Sequence, residues 1–232
     1  MSSLDGATRD DLVVANHILA RRGVLDGFGH VSVRDGADHF LISCNRAPAL
    51  VQDADLMRVS FAGEPQDERK PYLERFIHGA VYAARPDVCA VVHSHAATVI
   101  PFSIARGATL RAVSHMGGFL GAGIPLFEIR DAAGDDNDML VRDARLGAAL
   151  AQTLGDAAAV LMRGHGITVV GATIRQAVFR AIYTEVNARL QSEALRLGPL
   201  LPLNDFEARR ADAANDTQIE RAWSLWERET RG

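Results

Sequence analysis

The segment at residues 88–93 (VCAVVH) constrains the fold most, because a short apolar run rich in β-branched residues predicts a buried strand. Alternating segments at 29–34 and 39–43 predict a hairpin, and two more strands are predicted at 158–162 and 166–170. Helical patterns occur at 7–22, 72–84, from about 96, and at 143–154, 172–197 and 216–229. Helices and strands mixed through one chain indicate an α/β or α+β layer structure around a central sheet.

Length and charge exclude several classes of protein. The chain has 232 residues without a low-complexity linker, so we expect one domain over 1–232 that ends in a helical tail. Its net charge of −4 argues against a binder of the nucleic-acid backbone, which needs a basic surface. No apolar run approaches the ~18–20 residues that span a bilayer, and the N-terminus is polar, so we expect a cytoplasmic protein without a membrane partner.

Histidines at the end of the buried strand are the strongest chemical signal. His93 and His95 project to the same side if the extended conformation continues through Ser94, and such a pair is a common metal-ligand arrangement. His165 lies between two glycines in a predicted tight turn and is the candidate third ligand. A lone histidine is more often a surface or core residue, and we interpret His17 and His39 in that way.

Glu74 opens the helix that leads into this strand, and His78 follows on the same helical face. A carboxylate beside a divalent cation can be a fourth ligand or a base. The alternative is that Glu74 only favours the positive N-terminal end of its helix.

Four motifs together resemble the class II aldolase/adducin family. They are GHVSVR at 29–34, the stretch at 74–78, HSH at 93–95 and RGHG at 163–166, and the resemblance covers roughly residues 8–195. It implies an α/β fold of α/β/α layers, with a central, mainly antiparallel sheet flanked by helices. It also implies a homotetramer with active sites between neighbouring subunits.

The same resemblance implies a metal site. One divalent metal ion per chain, Zn²⁺ or Mn²⁺ with Fe²⁺ left open, is expected on the residues that match the family's histidines, His93, His95 and His165. Glu74 matches the family's acidic proton carrier. The metal ligands and the proton carrier of the family therefore all have counterparts in this sequence.

Departures from the family's sugar-phosphate members bear on the substrate. His30 stands in the glycine loop where those members have asparagine, and Tyr72 and Leu73 replace two serines that donate to the phosphate. In place of hydroxyl donors the sequence offers two basic residues, Arg46 and Arg75, and guanidinium groups pair well with planar carboxylates. We therefore predict a small-molecule carboxylate substrate that contacts His30, Arg46, Tyr72 and Arg75, although both arginines can also be ordinary surface charges.

The catalytic acid of the aldolases also differs. The aligned stretch at 113–117 offers His115 where aldolases have tyrosine. With the phrases FGHVSVR, SCNRAPALV and ERFIHG, this is similar to the branch that decarboxylates hydroxylated aromatic or pyridine dicarboxylates. The resemblance implies a metal-dependent carbon–carbon lyase in which Glu74 or His115 protonates the ring carbon.

Three alternatives remain open. One is an aldolase that acts on a non-phosphorylated hydroxy-keto acid with the same metal and the same Glu74. A second is a redox-active iron enzyme, because three ligands with open positions also suit Fe²⁺. The third is a non-catalytic binding module of the adducin type, which the retention of all four metal-site residues argues against.

Overall fold

The strands form one sheet at the centre of the fold. A computed structural model of the chain describes residues 4–231. Within that range the strands are β1 His30–Asp35, β2 His39–Ser43, β3 Leu56–Ser60, β4 Ala90–Ser94, β5 Leu126–Phe127, β6 Ala159–Met162 and β7 Gly166–Gly171. Their order is β3-β2-β1-β4-β7-β6-β5, and every neighbouring pair is antiparallel except β5 and β6. The expected α/β class with a central, mainly antiparallel sheet is confirmed.

Helices cover both faces of this sheet. They are α1 Gly6–Arg21, α2 Arg75–Ala84, α3 Ile100–Ile104, α4 Ile129–Ala133, α5 Ala144–Leu154, α6 Ile174–Leu197, α7 Asp205–Asp216 and α8 Ile219–Arg231. Side chains of β4 alternate between the two faces, as strand geometry requires. Ala90 and Val92 pack with α1 and α6, whereas Val91 packs with α2 and α5. His93, two residues after Val91, therefore belongs to the face that α2 covers.

Four elements were not predicted from the sequence: the short β5 and α4, and the longer β3 and α7. Residues 56–60 pair as an edge strand with β2, and pairing with a distant segment is not visible in a local pattern. Helix α7 buries mostly small residues, so its apolar periodicity is weak, although Asn204 and Glu207 form a capping box at its start. The helix expected from about residue 96 begins only at Ile100.

The C-terminal helix α8 packs on its own chain. Trp223 and Trp226 are 1% and 6% exposed and belong to the same apolar cluster as α1 and α6. The sequence alone does not say whether the two indoles cover their own core or a neighbour's site. The structure shows that they cover their own core. Among residues 4–231, no helix is long and apolar enough to cross a membrane.

Candidate metal centre

Four side chains meet at one point on the sheet. One ligand atom from each of Glu74, His93, His95 and His165 lies within 4.8 Å of the others. The Nε2 atom of His95 is 3.3 Å from that of His93 and 3.0 Å from that of His165. Glu74 Oε2 is 3.4 Å from the Nε2 atoms of both His93 and His165. Residues far apart in the sequence are thus brought together as a set of potential ligands.

The secondary structure explains this convergence. Strand β4 ends at Ser94, so the near-extended backbone directs the imidazoles of His93 and His95 to the same side. His165 lies in the turn between β6 and β7, where Gly164 has a φ of 63°. A Cβ atom at Gly166 would lie 2.0 Å from the carbonyl oxygen of Ser94, so only glycine lets the two backbones approach this closely.

The spacing of the three imidazoles fits a metal ion. Zinc–nitrogen bonds are about 2.0–2.1 Å long, and two such ligands at a tetrahedral angle are about 3.4 Å apart. The Nε2 separations of 3.0 and 3.3 Å are close to that value. His165 Nδ1 donates to the carbonyl oxygen of Met139 at 2.8 Å, and because a carbonyl can only accept, the lone pair of His165 is left on Nε2. The donor set therefore suits one divalent cation.

A loop at residues 137–141 holds two of these side chains. Met139, whose carbonyl accepts from His165, has a φ of 66°, which is rare for a residue other than glycine. Its amide donates to Asn137 Oδ1 at 3.0 Å. Two residues later, the amide of Val141 donates to Glu74 Oε1 at 3.0 Å. One turn therefore orients both a histidine and the carboxylate.

We predict that Asn137→Ala weakens metal binding without unfolding the protein. The substitution removes the acceptor for the Met139 amide, which helps to hold the unusual backbone conformation there. Loss of such an outer partner typically costs about 10–100-fold in metal affinity. Competition with a chromogenic chelator measures the affinity. Asn204→Ala, which removes an amide acceptor at the start of α7, is the control and should leave metal affinity unchanged; equal losses in both variants would contradict the prediction.

Electrostatics favour the ionised form of Glu74 and the protonated form of His165. Burial raises the pKa of Glu74, but the charge of His93 and hydrogen bonds with His165 and His93 lower it more, so the carboxylate is ionised. Burial lowers the pKa of His165, yet the hydrogen bond and charge of Glu74 raise it more, and the net shift is upward. Burial, with the charges of His93 and His165, lowers the pKa of His95 to about 4.

From these shifts we predict that metal binding releases a proton. A histidine must be neutral to bind a cation, and because the pKa of His165 is raised above its ordinary value of 6.5, the metal-free protein keeps a proton there at about pH 6. Affinity should therefore rise with pH until the pH passes the pKa of His165. Calorimetry in two buffers with different ionisation heats should show close to one proton released per metal at about pH 6. An affinity that is constant from about pH 5 to about pH 8 would rule out this account.

Two of the four proposed substrate residues border the cluster. The ring of His30 lies 5.1 Å from that of His93 and 4.6 Å from that of Tyr72, measured between centroids. Tyr72 is almost buried, and its hydroxyl contacts Ser43 Oγ at 3.0 Å and the carbonyl oxygen of Arg46. His30 and Tyr72 therefore form a continuous wall beside the metal ligands.

The two arginines differ in how far they are engaged. Arg46 Nε contacts the carbonyl of Leu50 at 2.7 Å and Asp55 at 3.2 Å, and its side chain is 42% exposed. Arg75 donates from Nε to the carbonyl of Gly63 at 2.5 Å and from Nη1 to that of Tyr72 at 3.1 Å. The guanidinium of Arg75 is thus directed at the main chain, and that of Arg46 is the more available of the two.

His115 is not brought into the cluster of this chain. It is exposed at the start of a 3₁₀ helix, residues 115–120, and its carbonyl accepts from Asn215 at 2.8 Å. It borders a shallow depression with Leu203, Glu207 and Arg210. Its contacts within residues 4–231 are therefore with α7 and the segment before it, whereas Glu74 belongs to the cluster.

Several residues around the site were missed in the sequence. Ser32 and Tyr82 form hydrogen bonds behind His30, and Phe28, 70% exposed, has its ring 6.3 Å from that of His95. The one available signal was spacing: Ser32 is two residues from His30 on a strand, and Tyr82 is four residues from His78 on a helix. Each pair therefore shares a face.

Comparison with known proteins assigns the family. The profile described as Class II Aldolase and Adducin N-terminal domain matches residues 10–192. The decarboxylase tropJ of Talaromyces stipitatus is 39% identical, over 92% of this chain and 90% of that protein. A 3,4-dihydroxyphthalate decarboxylase of Arthrobacter keyseri is 29% identical over 93% and 90%. An aldolase II superfamily protein from Pseudomonas syringae shares the fold, with a TM-score of 0.81 at 21% identity over 99% and 94% of the two chains.

These similarities extend along the whole fold and include the strands and turns that carry the four clustered residues. The profile covers most of the chain, and the relationship to tropJ spans nearly all of both sequences. This chain therefore belongs to the class II aldolase and adducin N-terminal domain family.

Proposed function

We propose that this chain is a divalent-metal-dependent carbon–carbon lyase that decarboxylates a hydroxylated aromatic or pyridine (di)carboxylate. The observation that carries the proposal is the convergence of three histidine Nε2 atoms and the Glu74 carboxylate at one point. A module kept only for binding has no need of such a complete set. The similarity to the decarboxylase tropJ and to a 3,4-dihydroxyphthalate decarboxylase supports the choice of reaction.

The surroundings of the cluster support a carboxylate substrate. Tyr72 and Leu73 stand where sugar-phosphate members of the family have two serines, so few small hydroxyl donors are available for a phosphate. The second named relative acts, by its name, on a ring that carries two hydroxyls and two neighbouring carboxylates. A substrate of that kind offers a ring hydroxyl beside a carboxylate, which is a natural pair of ligands for a metal ion.

His93, His95 and His165 would hold the metal, which supplies a Lewis acid that stabilises negative charge on the oxygen next to the breaking bond. The ionised Glu74 carboxylate takes the proton of the ring hydroxyl as the substrate binds. The bond between the ring carbon and the carboxylate then breaks, carbon dioxide departs, and the electron pair stays on the ring carbon. Glu74 returns its proton to that carbon, unless His115 does so.

We assign the second carboxylate of the substrate to Arg46. Its side chain is 42% exposed and contacts Leu50 and Asp55 through Nε, whereas the guanidinium of Arg75 is held through both Nε and Nη1 by two main-chain carbonyls. Arg46 also adjoins the wall of the site, because its own carbonyl accepts the hydroxyl of Tyr72. A guanidinium presents parallel N–H groups that match the two oxygens of a carboxylate.

The proposal includes a homotetramer with active sites between subunits. His115 is exposed and makes its contacts away from the cluster of its own chain. A role for it in protonation therefore requires that it reach the site of a neighbouring subunit. Light scattering of the purified protein tests this assembly. A monomer would remove His115 from the mechanism and leave Glu74 as the proton carrier.

The test is elemental analysis followed, on the same sample, by a carbon dioxide release assay with hydroxy-aromatic and hydroxypyridine dicarboxylates. We expect about one zinc, manganese or iron ion per chain and gas from at least one compound. Metal without gas, but with cleavage of a hydroxy-keto acid into pyruvate or an aldehyde, would make the protein an aldolase. A protein that binds no divalent metal would contradict the proposal entirely.

A further inference from the structure

Behind His30, four side chains form a buried chain of hydrogen bonds. Tyr82 Oη is 2.7 Å from Ser32 Oγ, and Ser32 Oγ is 2.6 Å from His78 Nδ1. His78 Nε2 is in turn 2.6 Å from Nδ1 of His30. The inner three residues are at most 1% exposed, and His30 is 4% exposed. This hydrogen-bond chain therefore runs from the protein interior to the wall of the candidate metal centre.

Counting protons leaves this hydrogen-bond chain three arrangements. Both imidazoles are buried without a carboxylate in hydrogen-bond contact, so both are neutral, and each carries one N–H. Together with the two hydroxyls, the chain holds four protons for three hydrogen bonds. One proton must therefore lie outside these three bonds. It lies on the Tyr82 hydroxyl, on the Ser32 hydroxyl if Tyr82 and His78 both donate to Ser32, or on Nε2 of His30.

Burial of the two hydroxyls decides among these arrangements. Burial raises the pKa of Tyr82, so the phenol keeps its proton, and among residues 4–231 the acceptors in contact with the two hydroxyls are Ser32 Oγ for Tyr82 and Tyr82 Oη or His78 Nδ1 for Ser32. A free proton on either buried hydroxyl would have no acceptor, which costs about 1–3 kcal/mol. The favoured direction is Tyr82 to Ser32 to His78 to His30. In that direction each group donates to the next.

We propose that Ser32 and His78 fix His30 in the tautomer with its proton on Nε2, while Tyr82 only donates to Ser32 from behind, so that His30 presents a hydrogen-bond donor to an oxygen of the substrate. Nδ1 of His30 is occupied by His78, and Nε2 has no partner among residues 4–231. A nitrogen that carries a proton cannot bind a metal ion, so His30 borders the cluster without joining it. It suits a carboxylate or phenolate oxygen and disfavours a cationic group.

This inference rests on the proposed function for the identity of the ligand, but the tautomer can be tested without a substrate. Neutron diffraction from crystals of deuterium-exchanged, zinc-loaded protein locates the exchangeable hydrogens directly. We expect deuterium on Nε2 of His30 and on Nε2 of His78, and a Tyr82 O–D bond directed at Ser32. Deuterium on Nδ1 of His30 would overturn the inference, whatever the protein catalyses.

Two variants test whether the chain acts on His30 or only on stability. Tyr82→Phe leaves Ser32 free to donate to His78, so the tautomer of His30 should persist and KM for the carboxylate substrate should change less than about twofold. Ser32→Ala removes that donor, and both tautomers of His30 should then appear in the neutron maps.

In Ser32→Ala, KM should rise about 3–10-fold with a smaller change in kcat, which is the range for the loss of one hydrogen bond. Tyr82→Phe and Ser32→Ala each lose a buried hydrogen bond, but only Ser32→Ala loses the donor to His78. An equal rise of KM in both variants would therefore refute the positioning role. If no compound releases carbon dioxide, the proposed function fails, while the neutron maps still decide the tautomer.

Discussion

His95→Ala should remove both the bound metal and the turnover. The Nε2 atom of His95 is within 3.3 Å of the Nε2 atoms of both His93 and His165, so alanine takes away one of the three proposed nitrogen ligands. Metal ions supply several kcal/mol of charge stabilisation in such reactions. Because about 1.4 kcal/mol corresponds to a factor of ten in rate, we expect a loss of about 10³-fold or more.

The fold should survive this substitution. His95 is only partly buried and follows the end of β4, so its removal leaves the strand pairing intact. Mass spectrometry of the metal content, thermal melting followed by circular dichroism, and carbon dioxide release should be measured on one preparation. His39→Ala is the matched control, because His39 contacts Asp38 and Gln66 and lies outside the cluster. Retention of metal and activity by His95→Ala would disprove the assignment of the metal site.

The sequence predicts the fold best where a segment carries its own signal. The buried strand before His93 and the helix now seen at 144–154 have clear periodicity, and both were predicted to within a few residues. Strand β3 is different, because its assignment depends on pairing with β2 and on little in its own sequence. Helix α7 is stabilised by a capping box and small buried side chains, which also give a weak apolar pattern.

The metal centre follows the same division. His93 and His95 share one strand, so their convergence is a consequence of strand geometry. The orientation of His165 and Glu74 depends on the loop at 137–141, whose Met139 carbonyl and Val141 amide contact them. Main-chain groups of this kind have no sequence signature, so this support could be found only once the chain was folded.

The hydrogen-bond chain behind His30 shows how tertiary structure determines the chemical role of a residue that the sequence only singles out. From the sequence, His30 was an imidazole that replaces an asparagine and was predicted to contact the substrate. In the structure its Nδ1 atom contacts His78, and the polarity of that contact is set by groups deeper in the protein. A residue's chemical role therefore depends on partners that lie one and two side chains away from the substrate.

Glu74→Gln should abolish most of the turnover while the metal stays bound. Glutamine keeps an oxygen that can accept from the Val141 amide, as Glu74 Oε1 does at 3.0 Å, so the loop should remain in place. It cannot accept or return a proton, however, and loss of a general acid–base group costs about 10²–10⁴-fold in kcat. We therefore expect an unchanged metal content, a similar KM and a kcat lower by that factor.

The control for this variant is Glu128→Gln, which makes the same chemical change at a carboxylate paired with Arg130 and Arg163 outside the cluster. It should leave kcat unchanged. If Glu74→Gln kept its metal and lost only a few-fold in kcat, Glu74 would be a positioning group and the proton would come from His115. If it lost its metal, Glu74 would be a fourth ligand, because its Oε2 atom already lies 3.4 Å from two of the ligand nitrogens.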